Sequence, residues 1–122
     1  MPTPAVVSDF AKTVEAGAYL EAIERYYAPK ATMRENGAEP RCGLEALIAN
    51  EKSVLARFAS IKASRLGPVL IQGDHVAIPW AFDFKLDGGG SLRLEEIAWQ
   101  RWEGDKVVEE RFFYDPQQLN PG

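Results

Sequence analysis

Three glycine-bearing turns divide the second half of the chain into long runs, and no other feature limits the fold as much. They are Gly73-Asp74, Gly88-Gly89 and Glu103-Gly104-Asp105. Between and after them lie His75 to Leu86, Leu92 to Trp102 and Lys106 to Tyr114, rich in β-branched and aromatic residues. Tight turns joining consecutive runs of this kind predict an antiparallel meander. Ser60 to Gln72 precedes them as a further strand, broken at Gly67-Pro68 because proline has no N–H for the ladder.

Helical signals occupy the first half. Thr3-Pro4 supplies an N-cap and first-turn proline, and Val7, Phe10, Ala11 and Val14 follow at helical spacing. Gly17 is placed to end that helix. A second short helix carries Leu20, Ile23 and Tyr27 on one face and stops at Pro29. Ala31 to Glu35 alternates as a strand, Asn36-Gly37 signals a hairpin, and a brief return strand ends at Gly43. A third helix runs from about Leu44 to Phe58 with Leu44, Leu47, Ile48, Leu55 and Phe58 as its stripe. Three helices followed by a strand meander predict an α+β fold with the helices on one face of the sheet. At 122 residues the chain is one domain, expected over residues 1–116, with a short tail at 117–122.

Composition removes several classes of function. Lys and Arg number 14 against 18 Asp and Glu, a net charge of −4 with no basic cluster, which argues against nucleic-acid binding. One cysteine, Cys42, and one histidine, His75, exclude a disulfide within the chain and the common zinc sites. No charge-free run exceeds eight residues, against the ~20 of a membrane helix, so no membrane partner is expected. The start Met1-Pro2-Thr3-Pro4 lacks the basic and apolar regions of a secretory signal, and a cytoplasmic location is expected. No phosphate-binding glycine motif occurs, and neither a cofactor nor a metal is expected.

This order of elements resembles the SnoaL-like polyketide cyclase group of the nuclear transport factor 2-like superfamily, over essentially the whole chain. The resemblance rests on Tyr26-Tyr27-Ala28-Pro29-Lys30-Ala31-Thr32 closing a helix into a strand, and on Gly43 opening the third helix. It rests also on Gly67-Pro68-Val69 and on the ending Gln100-Arg101-Trp102 … Val107-Val108-Glu109-Glu110-Arg111-Phe112-Phe113-Tyr114-Asp115. It implies a cone-shaped curved sheet wrapped around the helices, a ligand pocket inside, and a homodimer through the outer sheet face. The fold hosts isomerases, cyclases, hydrolases and binding modules, so it does not choose among them.

Alternation divides the three long strands into two sets. One is bulky: Trp80, Phe82, Phe84, Ile97, Trp99, Arg101, Arg111 and Phe113. The other is small or acidic: Pro79, Ala81, Asp83, Leu94, Glu96, Ala98, Gln100, Glu110, Phe112 and Tyr114. On the residues alone, either set can face the helices. The resemblance favours the second set inward, which leaves Trp80, Phe82, Phe84, Trp99 and Phe113 as an outer face for a second copy.

Three carboxylates then stand where apolar residues belong: Glu35 beside Ala31 and Met33, Glu51 on the stripe of the third helix, and Glu96 between Leu94 and Ala98. In a shared low-dielectric pocket they cannot all ionise, and a carboxyl poised nearer neutrality can move protons. Set beside ketosteroid isomerases of the same fold, Glu35 falls on the carboxylate base and Glu51 on a pocket tyrosine. The two oxyanion donors of that family fall on Ala98 and near Ala11, which sets this chain apart from steroid isomerisation. The expectation is a cofactor-independent isomerase or cyclase on a small apolar carbonyl compound. Glu35 is its base, Glu51 or Glu96 the acid partner, and Tyr26, Met33, Asp83, Phe112 and Tyr114 contact the substrate. The alternative is a small-molecule-binding dimer without catalysis.

Overall fold

The structure, a computed structural model, describes residues 1–120; the last two residues of the expected tail lie outside the described residues. Helix α1 spans Pro4–Glu15, with the Thr3 hydroxyl accepting from the Val6 N–H as its N-cap. Its stripe Val7, Phe10, Ala11 and Val14 is buried. Helix α2, Tyr19–Tyr26, ends one residue earlier than its apolar spacing predicts, and Tyr27 already has extended backbone. Strand β1, Tyr27–Glu35, and β2, Arg41–Cys42, form a short hairpin, and α3 covers Leu44–Ala56. The remaining strands are β3 Phe58–Arg65, β4 Leu70–Gln72, β5 His75–Leu86, β6 Ser91–Glu103 and β7 Lys106–Phe113. A short 3-10 helix, Pro116–Leu119, closes the described chain.

The seven strands form one open, curved, mixed sheet in the order β2-β1-β7-β6-β5-β3, with β4 pairing β5. All pairings are antiparallel except β1 with β7, which is parallel and sets Met33 beside Glu110 and Glu35 beside Phe112. Asn36 fastens this junction. Its N–H donates to the Phe112 carbonyl at 2.8 Å, and its side-chain oxygen accepts from the Tyr114 N–H at 3.0 Å.

The β5–β6 register corrects the facing predicted for β5. Trp80 pairs with Glu96 and Phe82 with Leu94, and directly opposed residues share a face. Trp80, Phe82 and Phe84 therefore turn inward together with Glu96, Ala98, Gln100 and Glu110, whereas Pro79 and Asp83 turn outward. The phase is decided by the loop. Lys85 pairs with Ser91, so five residues, an odd number, lie between the last paired positions, and Gly88, Gly89 and Gly90 accommodate this at positive φ. An even-length turn would have produced the other arrangement.

Candidate functional site

The inward face of the sheet does not fill with side chains. Between it and the helices lies a cavity of about 600 Å³. One wall is aromatic: Trp80, Phe82, Phe84 and Phe58 stand in sequence with ring centroids 5.9, 6.4 and 4.6 Å apart. Tyr19, from α2, flanks Phe82 at 6.5 Å and donates its hydroxyl to the Ile61 carbonyl. Acidic side chains adjoin it, Glu96, Glu110 and Glu35 on the same inward face of the sheet and Glu51 on α3, all lining the space.

These carboxyls fall into an outer and an inner pair. Glu35, at the end of β1, meets Arg41 of β2 at 2.6 Å, an ion pair across the hairpin that leaves both side chains about one-third exposed (30% and 34%). Glu51 projects from the third turn of α3, on the same face as Leu44 and Leu47. Burial raises its pKa, the charge of Glu35 raises it further, and Arg41 opposes both. The inner pair comes from β6 and β7. Glu96 is only 8% exposed and makes no hydrogen bond among the described residues. Burial, followed by the charges of Glu110, Glu35 and Glu51, pushes it up to about 8.

Glu110, 4% exposed, has instead two donors. The Tyr27 hydroxyl donates to one oxygen, and the Gln100 amide donates to the other at 2.6 Å. Gln100 in turn accepts from the Trp102 indole N–H at 2.9 Å. Burial raises Glu110 to about 7 against the lowering effect of these two donors. Tyr27 is itself raised well above its ordinary range, by burial and then by the Glu110 charge. Tyr114 extends the wall beyond Phe112, and burial together with Glu35 and Glu96 raises its phenol.

The predicted positions divide accordingly. Glu35, Glu51, Glu96, Met33, Phe112 and Tyr114 all line the cavity. Asp83 does not. It faces outward, and both its oxygens accept from the Arg93 guanidinium at 3.0 Å. Tyr26 lies in the core away from the cavity, edge-on to Phe10 at 5.5 Å. The helix-to-strand junction explains the exchange, because it turns Tyr26 and Tyr27 to different sides. Trp80, Phe82 and Phe84, expected on the outer face, form the cavity wall, and the outer face retains Trp99, Phe113 and Ile97.

Glu110, Tyr27 and Arg41 carry no role in the sequence pattern. Glu110 could have been found from its spacing with Phe112 and Tyr114 on one strand face. Arg41 and Tyr27 depend on the β1–β2 and β1–β7 pairings, which no local pattern states. Ala98 and Ala11 are fully buried. Among the described residues no group of three or more His, Cys, Asp or Glu side chains is arranged to hold a metal ion. No described helix is long and apolar enough to cross a membrane.

Solved structures share this architecture at low identity. A candidate SnoaL-like polyketide cyclase from Jannaschia sp. CCS1 superposes with a TM-score of 0.82 at 14% identity, over 97% of this chain and 92% of that one. A nuclear transport factor 2-like protein of unknown function from Burkholderia pseudomallei gives 0.80 at 14% identity, over 94% and 92%. A protein with a ketosteroid isomerase-like fold from Catenulispora acidiphila, in complex with trimethylamine, gives 0.80 at 17%, over 96% and 90%. No curated protein matches the chain. The SnoaL-like domain model matches residues 7–110, most of the chain and nearly every element that builds the cavity, and the protein belongs to the SnoaL-like family.

Proposed function

We propose that the cavity is the active site of a cofactor-independent proton-transfer enzyme of the isomerase or cyclase type, acting on a small, largely apolar carbonyl compound. The observation that carries this reading is the outer acid pair, two carboxyls on one cavity wall held in different ways. Arg41 holds the Glu35 carboxylate at 2.6 Å on the cavity wall. Glu51, beside it, is biased toward holding a proton by burial and by the Glu35 charge. One group accepts the proton alpha to the carbonyl while the other donates to the oxygen, the division of labour such chemistry needs. Tyr114 orients the carbonyl through its phenol, and Met33 and Phe112 pack the apolar body. The trimethylamine complex of a protein with this fold supports treating the cavity as a small-molecule site.

The test is deuterium exchange from solvent into the alpha carbon of a panel of small cyclic ketones, followed by proton NMR. Glu35→Gln should abolish exchange while leaving the circular dichroism spectrum unchanged. Exchange that persists in Glu35→Gln would reject catalysis by this pair and leave a binding function.

We also infer that two copies pair through the outer sheet face. Trp99 is 46% exposed and stands with Phe113 and Ile97 on that face, which supports an apolar contact.

A further inference from the structure

Five carboxyls, Glu35, Glu39, Glu51, Glu96 and Glu110, line the cavity against two guanidiniums, Arg41 and Arg57. Arg41 is already engaged by Glu35. Beside the carboxyls on the same inward face runs the unbroken ring series of Trp80, Phe82, Phe84 and Phe58. Ring faces carry negative potential, so both walls favour the same sign of charge. A neutral apolar molecule would satisfy the rings and leave the inner carboxyls without a partner.

Glu96 is the sharpest case. It is nine-tenths buried, lines the cavity, hydrogen-bonds to nothing among the described residues, and is the cross-strand neighbour of Trp80. Its companion Glu110 has its donors in Tyr27 and Gln100, so the vacancy belongs to Glu96 alone within the inner pair. Its oxygens are not sealed in the core but open onto the cavity, so a ligand group can reach a carboxyl to which no protein group is bonded.

We propose that the molecule taken by this cavity carries a positive charge, a tertiary or quaternary amine seated on the Trp80–Phe82 wall against Glu96. The inference rests on the reading of the cavity as the substrate's seat and names the substrate class as amine-bearing carbonyl compounds. It also answers a difficulty in that reading. Removing a proton from a neutral ketone creates an enolate among several acids, whereas an ammonium group on the substrate offsets the charge as it develops.

Binding a permanent cation replaces the proton that Glu96 holds near neutrality, and that proton leaves to solvent. The groups that share the cavity with Glu96 are Glu110 from β7 and Tyr114 just after it, Glu35 and Tyr27 from β1, Glu39 and Arg41 from the β1–β2 hairpin, Glu51 from α3, Arg57 at its end and Tyr19 from α2. The carboxylates among them add to the attraction for a cation, and Arg41 opposes it.

Choline and its uncharged isostere 3,3-dimethylbutan-1-ol provide the test, by calorimetric titration of the intact protein at pH 7 in two buffers of different ionisation enthalpy. Choline should bind at least about tenfold more tightly than the isostere and release a proton. Glu96→Gln, which removes no hydrogen bond, should abolish both the preference and the release, and Trp80→Leu should reduce choline binding more than isostere binding. Equal binding of the two probes, binding of neither, or a preference that survives Glu96→Gln would overturn the proposal. In each of those cases Glu35-dependent exchange into ketones would still uphold the proton-transfer reading. Loss of that dependence with the choline preference intact would instead reject only the chemistry.

Discussion

Replacing Glu96 by Gln should stabilise the protein, increasingly so as the pH rises. The side chain makes no hydrogen bond among the described residues, so the substitution breaks no contact and isolates the cost of burying a carboxyl. That carboxyl is pushed up to about 8 in the folded protein, against an ordinary value of 4.5. The folded state therefore binds more protons than the unfolded state between those two values, and stability falls as pH rises through that window. Integration gives a penalty of roughly 1 kcal/mol at pH 5, roughly 3 kcal/mol at pH 7 and roughly 5 kcal/mol at pH 9. Glutamine has no such titration. Urea unfolding followed by the fluorescence of the buried Trp80 and Trp102 measures the difference directly. The variant should exceed the parent by these amounts, equivalent to on the order of 10 °C in melting temperature at pH 7. Parallel stability profiles for the two proteins from pH 5 to 9 would refute the reasoning, because they would mean that Glu96 is hydrated in the native state.

Removing a donor from Glu110 should act in the opposite direction. Tyr27→Phe leaves Gln100 as the remaining donor and removes one of the two interactions that lower this carboxyl, so stability should drop by about 1–3 kcal/mol. The loss should grow above pH 7, where Glu110 ionises, and urea unfolding across that range checks it. For self-association, Trp99→Glu places a charge on the outer face and should convert a particle of about 27 kDa into one of about 14 kDa by light scattering. A parent protein that is already monomeric at micromolar concentration would reject pairing through that face.

Much of the fold could be read because its signals are local. The Thr3-Pro4 cap, the α1 stripe and the glycine turns each act over a few residues, and each element formed close to where they place it. The inward facing of Glu96, Ala98, Gln100, Glu110, Phe112 and Tyr114 also follows from alternation within β6 and β7. The facing of β5 does not. It depends on whether the Leu86–Gly90 connection holds an odd or even number of residues, and three consecutive glycines permit either. The same limit hid Arg41 and Tyr27, whose positions follow from pairings between distant strands. Tyr26 and Tyr27 are adjacent in sequence, and a one-residue shift in the end of α2 decided which of them meets Glu110.

The site draws its character from four carboxyls of one chemical type held in four environments. A guanidinium holds Glu35, two neutral donors hold Glu110, and no protein group bonds to Glu96, while Glu51 lies between a carboxylate that raises it and an arginine that lowers it. Burial pushes Glu51, Glu96 and Glu110 the same way, and the different partners of each decide how far. Glu110, closest to neutrality, is tied down by Tyr27 and Gln100 and is unsuited to follow a substrate. Glu96 is free to meet one. The aromatic wall beside it supplies no donor to it, and the Trp102 N–H is already given to Gln100. A carboxyl that the fold withdraws from bulk solvent, opens onto the cavity and leaves without a protein donor is placed to meet a ligand.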